Sequence, residues 1–210
     1  MAELKSYNTN LAANIKSVNG NLFSNIKSIN GLAMPSLITY TTWNPSDKST
    51  YITLSNGNLT TTKTGPANFA GVRSIKGVST GKWYWEVTSN TTAGSMMVGI
   101  GNIYQSLNNL PENENGHQIY SGDGTKFPGG IAYTSSFTAS GTVIGVALDM
   151  DNKTIKFYKN GVDCGIAFTG LSGEQFAMTT PNNPGIIQTA NFGATPFAYS
   201  VPSGFNAGLY

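Results

Sequence analysis

VIGVALDMDNKTIKFYKNGVDCGIAF, Val143 to Phe168, is the stretch whose pattern decides the fold. Two strand-length apolar runs flank Asp151-Asn152, and Asn160-Gly161 then supplies a pair that tolerates positive φ in a tight hairpin turn. In the second run Ile155 and Phe157 fall on one face and Lys156 and Tyr158 on the other, the alternation of a sheet with one dry side. The pattern is an antiparallel meander. Asp149 and Asp151, a carboxylate pair of the kind glycoside hydrolysis uses, sit at its first turn, where an Asp hydrogen-bonds its own backbone without any substrate.

Outward from this stretch, strand-like runs are expected at Leu37–Thr42, Thr50–Leu54, Phe69–Ile75, Lys82–Thr88, Ser95–Gly101, Thr142–Met150, Lys153–Tyr158 and Gly185–Phe192, most of them bounded by Gly, Asn, Asp or Pro. Their spacing suits two packed antiparallel sheets. Composition agrees: only 10% of residues are charged, and Gly, Ser, Thr and Asn abound, which favours short strands and tight turns over amphipathic helices. At 210 residues the chain buries a core without help and has room for one large domain plus an extension. The net charge of +2, from 12 basic and 10 acidic residues, is scattered rather than gathered on one face, so no nucleic acid partner is expected. Cys164 is the only cysteine, so neither an intramolecular disulfide nor a Cys-based zinc site is available. No basic stretch leads into an apolar run at the N-terminus, and no apolar run is long enough for a bilayer; a soluble chain with no signal peptide and no membrane insertion is expected.

Gly81-Lys82-Trp83-Tyr84-Trp85-Glu86-Val87 resembles the G-K-x-Y-W-E-V strand of the SPRY, or B30.2-like, family. The resemblance continues in order through Val98-Gly99-Ile100-Gly101, Tyr120-Ser121-Gly122-Asp123-Gly124, Gly141 to Asp149, Ile155 to Gly161, Asn191-Phe192-Gly193, Pro196-Phe197 and Pro202-Ser203-Gly204-Phe205. Several blocks in order are far more specific than one motif. They imply an all-β fold, a bent antiparallel β-sandwich of the SPRY type with a short N-terminal repeat-containing extension, and a binding surface in variable loops at one edge. Thr142 departs from the family, which commonly has Asp there. Trp83 and Trp85 share one strand face, Tyr84 and Glu86 the other, and one pair is expected in the core.

Two domains are expected, 1–36 and 37–210. In the first, Asn14-Ile15-Lys16-Ser17-Val18-Asn19-Gly20 returns 11 residues later as Asn25-Ile26-Lys27-Ser28-Ile29-Asn30-Gly31. Each unit ends in Asn-Gly, which interrupts a helix, so short extended pieces with turns are expected. Two units cannot close a core of their own, since stacked repeats need about three or more copies. Ile15, Val18, Leu22, Phe23, Ile26, Ile29 and Leu32 are therefore candidate anchoring or oligomer contacts; the plainer alternative is a segment packed on its own domain. The units resemble short leader repeats ahead of β domains in bacteriophage structural proteins. That likeness implies a virion component, a capsid decoration, head-fibre or tail-fibre protein made in the host cytoplasm. Its N-terminus would dock to other virion proteins, with a homo-oligomer displaying the sandwich for host attachment through a surface protein or glycan. The alternative is an intracellular adaptor that captures a partner-protein peptide.

No catalytic residue, metal or cofactor is expected. His117 lacks a nucleophile elbow, and its grouping with Glu112 and Glu114 reads as a solvated loop more readily than as a metal site. Gly122-Asp123-Gly124 precedes no helix whose N-terminus would hold a phosphate. The segment from Asn102 to Gly130 reads as a long loop on a rigid sandwich, where binding residues concentrate. Tyr104, His117, Tyr120, Asp123, Lys126 and Phe127 are accordingly the candidate ligand contacts, with Trp43 added. The competing reading is that Tyr120 and Phe127 pack this loop onto the sheet.

Overall fold

The computed structural model describes residues 38–91 and 95–210, and of the preceding segment the backbone of four two-residue strands. The chain divides into two compact units, 1–39 and 40–210. In the first, Ser17–Val18 (β1) pairs antiparallel with Asn21–Leu22 (β2), and Ser28–Ile29 (β3) with Leu32–Ala33 (β4). Val18 lies opposite Asn21 and Ile29 opposite Leu32. The side chains of the seven candidate anchoring residues lie outside the described residues.

Among its described residues the second unit holds fifteen strands. In chain order they are β5 (Trp43–Lys48), β6 (Ile52–Ser55), β7 (Thr60–Lys63), β8 (Val72–Val78), β9 (Lys82–Ser89), β10 (Met97–Gly101), β11 (Gly116–Tyr120), β12 (Thr125–Phe127), β13 (Ile131–Ala132), β14 (Val143–Asp149), β15 (Thr154–Lys159), β16 (Val162–Thr169), β17 (Gln175–Thr179), β18 (Ile187–Asn191) and β19 (Asn206–Ala207). One sheet runs β13-β12-β11-β10-β17-β8-β5. The other runs β16-β15-β14-β9-β18-β7-β6, with β19 added alongside β9. Every pairing is antiparallel except β19 with β9.

The two sheets enclose one core. Trp85 and Val87, Ile144, Val146 and Leu148, and Ile155 and Phe157 come from one sheet; Val98, Ile100, Ile119 and Ala177 come from the other, and all are buried. The meander is as its pattern predicts. Asn160 and Gly161 take φ of 48° and 78°, the left-handed pair that lets β15 return as β16 in register with the sheet twist.

Both faces of β9 are buried, which a single dry side does not explain. Trp85 faces the core, whereas Tyr84 and Glu86, 1% and 3% exposed, are covered by the C-terminal tail. Glu86 accepts hydrogen bonds from the backbone N–H of Ala198 (2.8 Å) and Tyr199 (3.0 Å) and from the Tyr84 hydroxyl (3.1 Å). Such charge-assisted bonds satisfy the buried carboxylate and fix the tail.

Three expected elements change. Residues 38–42 carry no strand; Thr41 N–H instead donates to Leu209 O, and β5 starts at Trp43. The run at Phe69–Ile75 becomes strand only from Val72, because Ala70 N–H is turned to Pro181 O. The expected long loop contains β11 and β12, so the irregular part ends at Asn115. Strand β7 has no apolar residue and β17 only the short run Phe176-Ala177-Met178; their polar residues pair across strands. Thr60 and Thr189 hydroxyls lie 3.0 Å apart, and Thr179 Oγ1 donates to Gln188 Oε1 at 2.7 Å.

Candidate functional site

Four segments meet at one edge of the sandwich: residues 44–51, which hold the register irregularity of β5 and the turn after it, and the loops 64–71, 102–115 and 180–184. Backbone bonds knit them together, from Ser49 N–H to Gly71 O (2.8 Å), Gly71 N–H to Leu107 O (2.6 Å) and Asn68 N–H to Asn182 O (3.1 Å). The Ser49 hydroxyl adds a bond to Asn108 Oδ1 at 2.8 Å. Two buried cations hold these loops from beneath.

Arg73, the only arginine in the chain, projects from β8 with its side chain 5% exposed. Its Nε and Nη2 grip Asp47 in a bidentate pair at 2.7 and 2.9 Å. Its Nη1 donates to Gln105 O (2.7 Å) and Asn102 O (3.2 Å). A planar guanidinium satisfies four acceptors at fixed angles, which the single point charge of a lysine does not. At the end of β7, Lys63 is 1% exposed. Its ammonium donates to Thr64 O and Pro66 O, both at 2.7 Å, and to Asn68 Oδ1 at 3.3 Å, with the Tyr51 ring centroid 5.0 Å away. Burial pushes its pKa below the usual lysine range. Each cation thereby fixes a loop from within the fold.

What the edge shows to solvent is apolar and acidic. Ile103 and Tyr104 are 56% and 80% exposed, held by an Asn102 side chain that accepts the Tyr104 N–H at 2.9 Å. Glu112 and Glu114 are exposed. Tyr104, Glu112 and their neighbours from Gln105 to Asn115 line a small polar recess of about 120 Å³.

The residues expected to form a single ligand surface are not brought together. Tyr104 alone of them stands on this edge. Trp43 is fully buried, its indole N–H donating to Leu59 O (3.1 Å) and its ring edge-on to Phe192. This corrects its assignment as a ligand contact: it starts a strand facing the core. His117 is likewise buried, because its strand register places it opposite Ile100. Its Nε2 lies 3.0 Å from Glu114 Oε2, and its ring packs on Phe168. Burial holds its pKa below the usual imidazole range, against the opposing pull of Glu114.

Tyr120 is half-buried, donating to Ser95 Oγ at 2.6 Å with Phe127 edge-on. Asp123 caps its own turn through Thr125 N–H at 2.9 Å. The Lys126 ammonium donates to Ala167 O at 2.5 Å, and with the Tyr133 hydroxyl on Gly165 O it closes the free edge of β16 against further strand pairing. Both carboxylates have structural roles: Asp149 caps its own turn, accepting from Asp151 and Asn152 N–H, and Asp151 ties it to the turn before β9, accepting from Gly81 N–H. Among the described residues, no three His, Cys, Asp or Glu side chains converge as metal ligands. Arg73, Asp47, Lys63 and Ile103 were missed from the sequence. The one available signal was the arginine itself, unique in the chain and set inside an otherwise apolar strand start.

Fold and site together define a two-sheet β-sandwich that presents a rigid set of loops at one edge. The SPRY domain family model matches residues 82–195, and the chain belongs to that family. Ran-binding protein 9 of Xenopus laevis is 33% identical over 171 residues, covering 76% of this chain and 31% of that protein. The Ran-binding proteins 9/10 homolog of Drosophila melanogaster is 35% identical over 169 residues, covering 75% and 18%. The chain thus spans less than a third of the length of these curated relatives. The SPRY domain of human HERC1 superposes with a TM-score of 0.62 at 22% identity, over 70% of this chain and 96% of that one, a likeness of fold alone.

These relatives overturn the virion reading. The likeness to phage rested on the short repeat within residues 14–31, whereas the similarity that extends across most of the chain is to animal Ran-binding proteins. A short, polar, Asn-Gly-punctuated repeat follows from turn chemistry and marks no lineage. The bacteriophage decoration, head-fibre and tail-fibre roles, the virion location and the capsid or tail partners are withdrawn with it.

Proposed function

We propose that this SPRY domain is a non-catalytic recognition module of a cellular adaptor, and that it captures a segment of a partner protein at the edge formed by residues 44–51, 64–71, 102–115 and 180–184. The observation that carries this reading is the 102–115 loop, fixed from below by Arg73 and displaying Ile103 and Tyr104 to solvent. Holding a loop in one conformation before binding reduces the ordering cost of capture, and apolar and aromatic side chains displayed on such a loop are the usual anchors of an interface. Glu112 and Glu114 complement a segment that carries Lys or Arg beside its apolar anchor. Residues 1–36 form a separate segment not needed for this capture. Oligomerisation through them remains compatible with the reading and forms no part of it.

The test is selection of peptides against the full chain from a displayed library, with Ran, after which the relatives are named, as a defined second probe. Binding should weaken at least about tenfold in both Ile103→Asp and Tyr104→Ala, weaken with added salt, and survive removal of residues 1–36. Binding that is indifferent to both substitutions refutes the assignment of this edge.

A further inference from the structure

The outer face of the second sheet already docks one extended segment, the chain's own C-terminal tail. Residues 193–210 contain no charged side chain. Phe197 sets its ring edge-on against Tyr84 at 5.1 Å, while the backbone at Ala198 and Tyr199 bonds to Glu86. Tyr84 in turn meets Tyr158 edge-on at 6.3 Å, so a row of aromatic rings runs across the face from the tail to β15. The tail goes on past Tyr199, whose ring lies against Gly161 of the turn between β15 and β16, to Phe205. There a groove of about 340 Å³ opens between Phe205 and the strands β14 to β16. Tyr158, Ile166 and Phe205 give it an apolar side, Asn152 and Thr154 a polar one, and Ile166 is 56% exposed.

The charged groups lining the groove are already paired, Asp149 with Lys82 at 3.0 Å and Lys156 with Asp163 at 2.8 Å. A charged occupant gains nothing from groups already neutralised, whereas an uncharged apolar one loses only water. The groove therefore offers a second segment the aromatic edges it gives the tail, without an uncompensated charge like the Glu86 carboxylate that anchors the tail backbone.

We propose that this groove receives an extended, uncharged segment of a partner protein that places an aromatic side chain between Tyr158 and Phe205, alongside the chain's own tail. None of its lining residues belongs to the loops of the recognition edge, so the two surfaces stand or fall separately. The test is a titration of the isotope-labelled full chain with N-acetyl-phenylalanine amide, N-acetyl-lysine amide and N-acetyl-glutamate amide, read by amide chemical shifts. The phenylalanine probe should saturate shifts at Thr154, Lys156, Tyr158, Ile166 and Phe205 with a dissociation constant in the millimolar range, the scale of a fragment this small. The charged probes should bind at least about tenfold more weakly. Ile166→Asp, at an exposed position that leaves folding intact, and Phe205→Ala should each abolish the shifts, while Ile103→Asp leaves them unchanged. Equal response to all three probes, shifts centred elsewhere, or shifts that persist in both groove variants overturn the proposal. Self-association of the free chain that Ile166→Asp abolishes assigns the groove to a second copy and overturns the partner assignment.

Discussion

Replacing Arg73 by Met keeps most of the side-chain volume and removes the guanidinium that joins β8 to two loops. The change breaks a bidentate pair whose arginine side is 5% and whose aspartate side is 24% exposed, and it takes donors from Asn102 O and Gln105 O. Removing one partner of a fully buried pair costs about 3–5 kcal/mol. The partial exposure of Asp47 lets water take up part of the stranded charge and lowers this to about 2–3 kcal/mol, and the two carbonyls add about 1 kcal/mol between them. A loss of about 3–4 kcal/mol lowers the melting temperature by about 6–16 °C in a unit of this size. Arg73→Lys should lose about half as much, since one ammonium does not serve four acceptors. Denaturant unfolding followed by tryptophan fluorescence gives the stability change, and amide hydrogen exchange over 102–109 reports the loop directly. Adding Asp47→Asn to Arg73→Met should return part of the loss, because it removes the uncompensated carboxylate. A loss below about 1 kcal/mol, with unchanged exchange in the loop, refutes the view that Arg73 holds the recognition edge.

His117 and Glu86 give two further tests. His117 has a folded pKa depressed below its ordinary 6.5, chiefly by burial; the unfolded chain takes the proton first, so stability should fall as pH drops from about 6.5 toward the folded value. His117→Phe should flatten that acid limb in denaturation midpoints measured between about pH 7.5 and 5.5, and an unchanged slope refutes the assignment. Glu86→Gln keeps the shape but weakens the bonds to Ala198 and Tyr199 N–H. It should cost about 1–3 kcal/mol and expose residues 196–205 to limited proteolysis, with wild-type resistance as the refuting result.

The meander was legible because it obeys two local rules at once, period-two alternation at Ile155 and Phe157 and the Asn160-Gly161 turn, with no tertiary term opposing them. The strand from Trp83 to Val87 was legible through its resemblance to the family and not through alternation, since both of its faces are buried. Strand β7 and the end of β17 were not legible, because Thr60, Thr61 and Thr179 are polar residues whose partners, Thr189, Gln188 and Met97, lie far along the chain. The candidate site failed in a particular way. Tyr104 is exposed, but His117 was assigned because residues 102–130 read as one long loop, and that reading, like the addition of Trp43, is silent about which strand face a side chain occupies. The register of β11 on β10 turns His117 inward, and that register depends on contacts between separate parts of the chain.

The use of charge in this chain argues for a rigid recognition edge more strongly than any single contact. Among the described residues, Lys48, Lys63, Arg73, Lys126, Lys153 and Lys159 each donate to a main-chain carbonyl, and Asp123, Asp149, Asp151, Asp163 and Glu86 each accept from main-chain N–H groups. Irregular backbone carries polar groups that no ladder satisfies, and a sandwich with long loops has many of them. In a chain with 10% charged residues, pairing ionised side chains with those groups converts loops into fixed structure while leaving little free charge outside. The exposed, uncommitted side chains of the edge, Ile103, Tyr104 and Glu112, are therefore displayed on backbone whose conformation is set before any partner arrives. Specificity then resides in side chains that contribute little to stability, and exchanging them should alter binding without unfolding the domain.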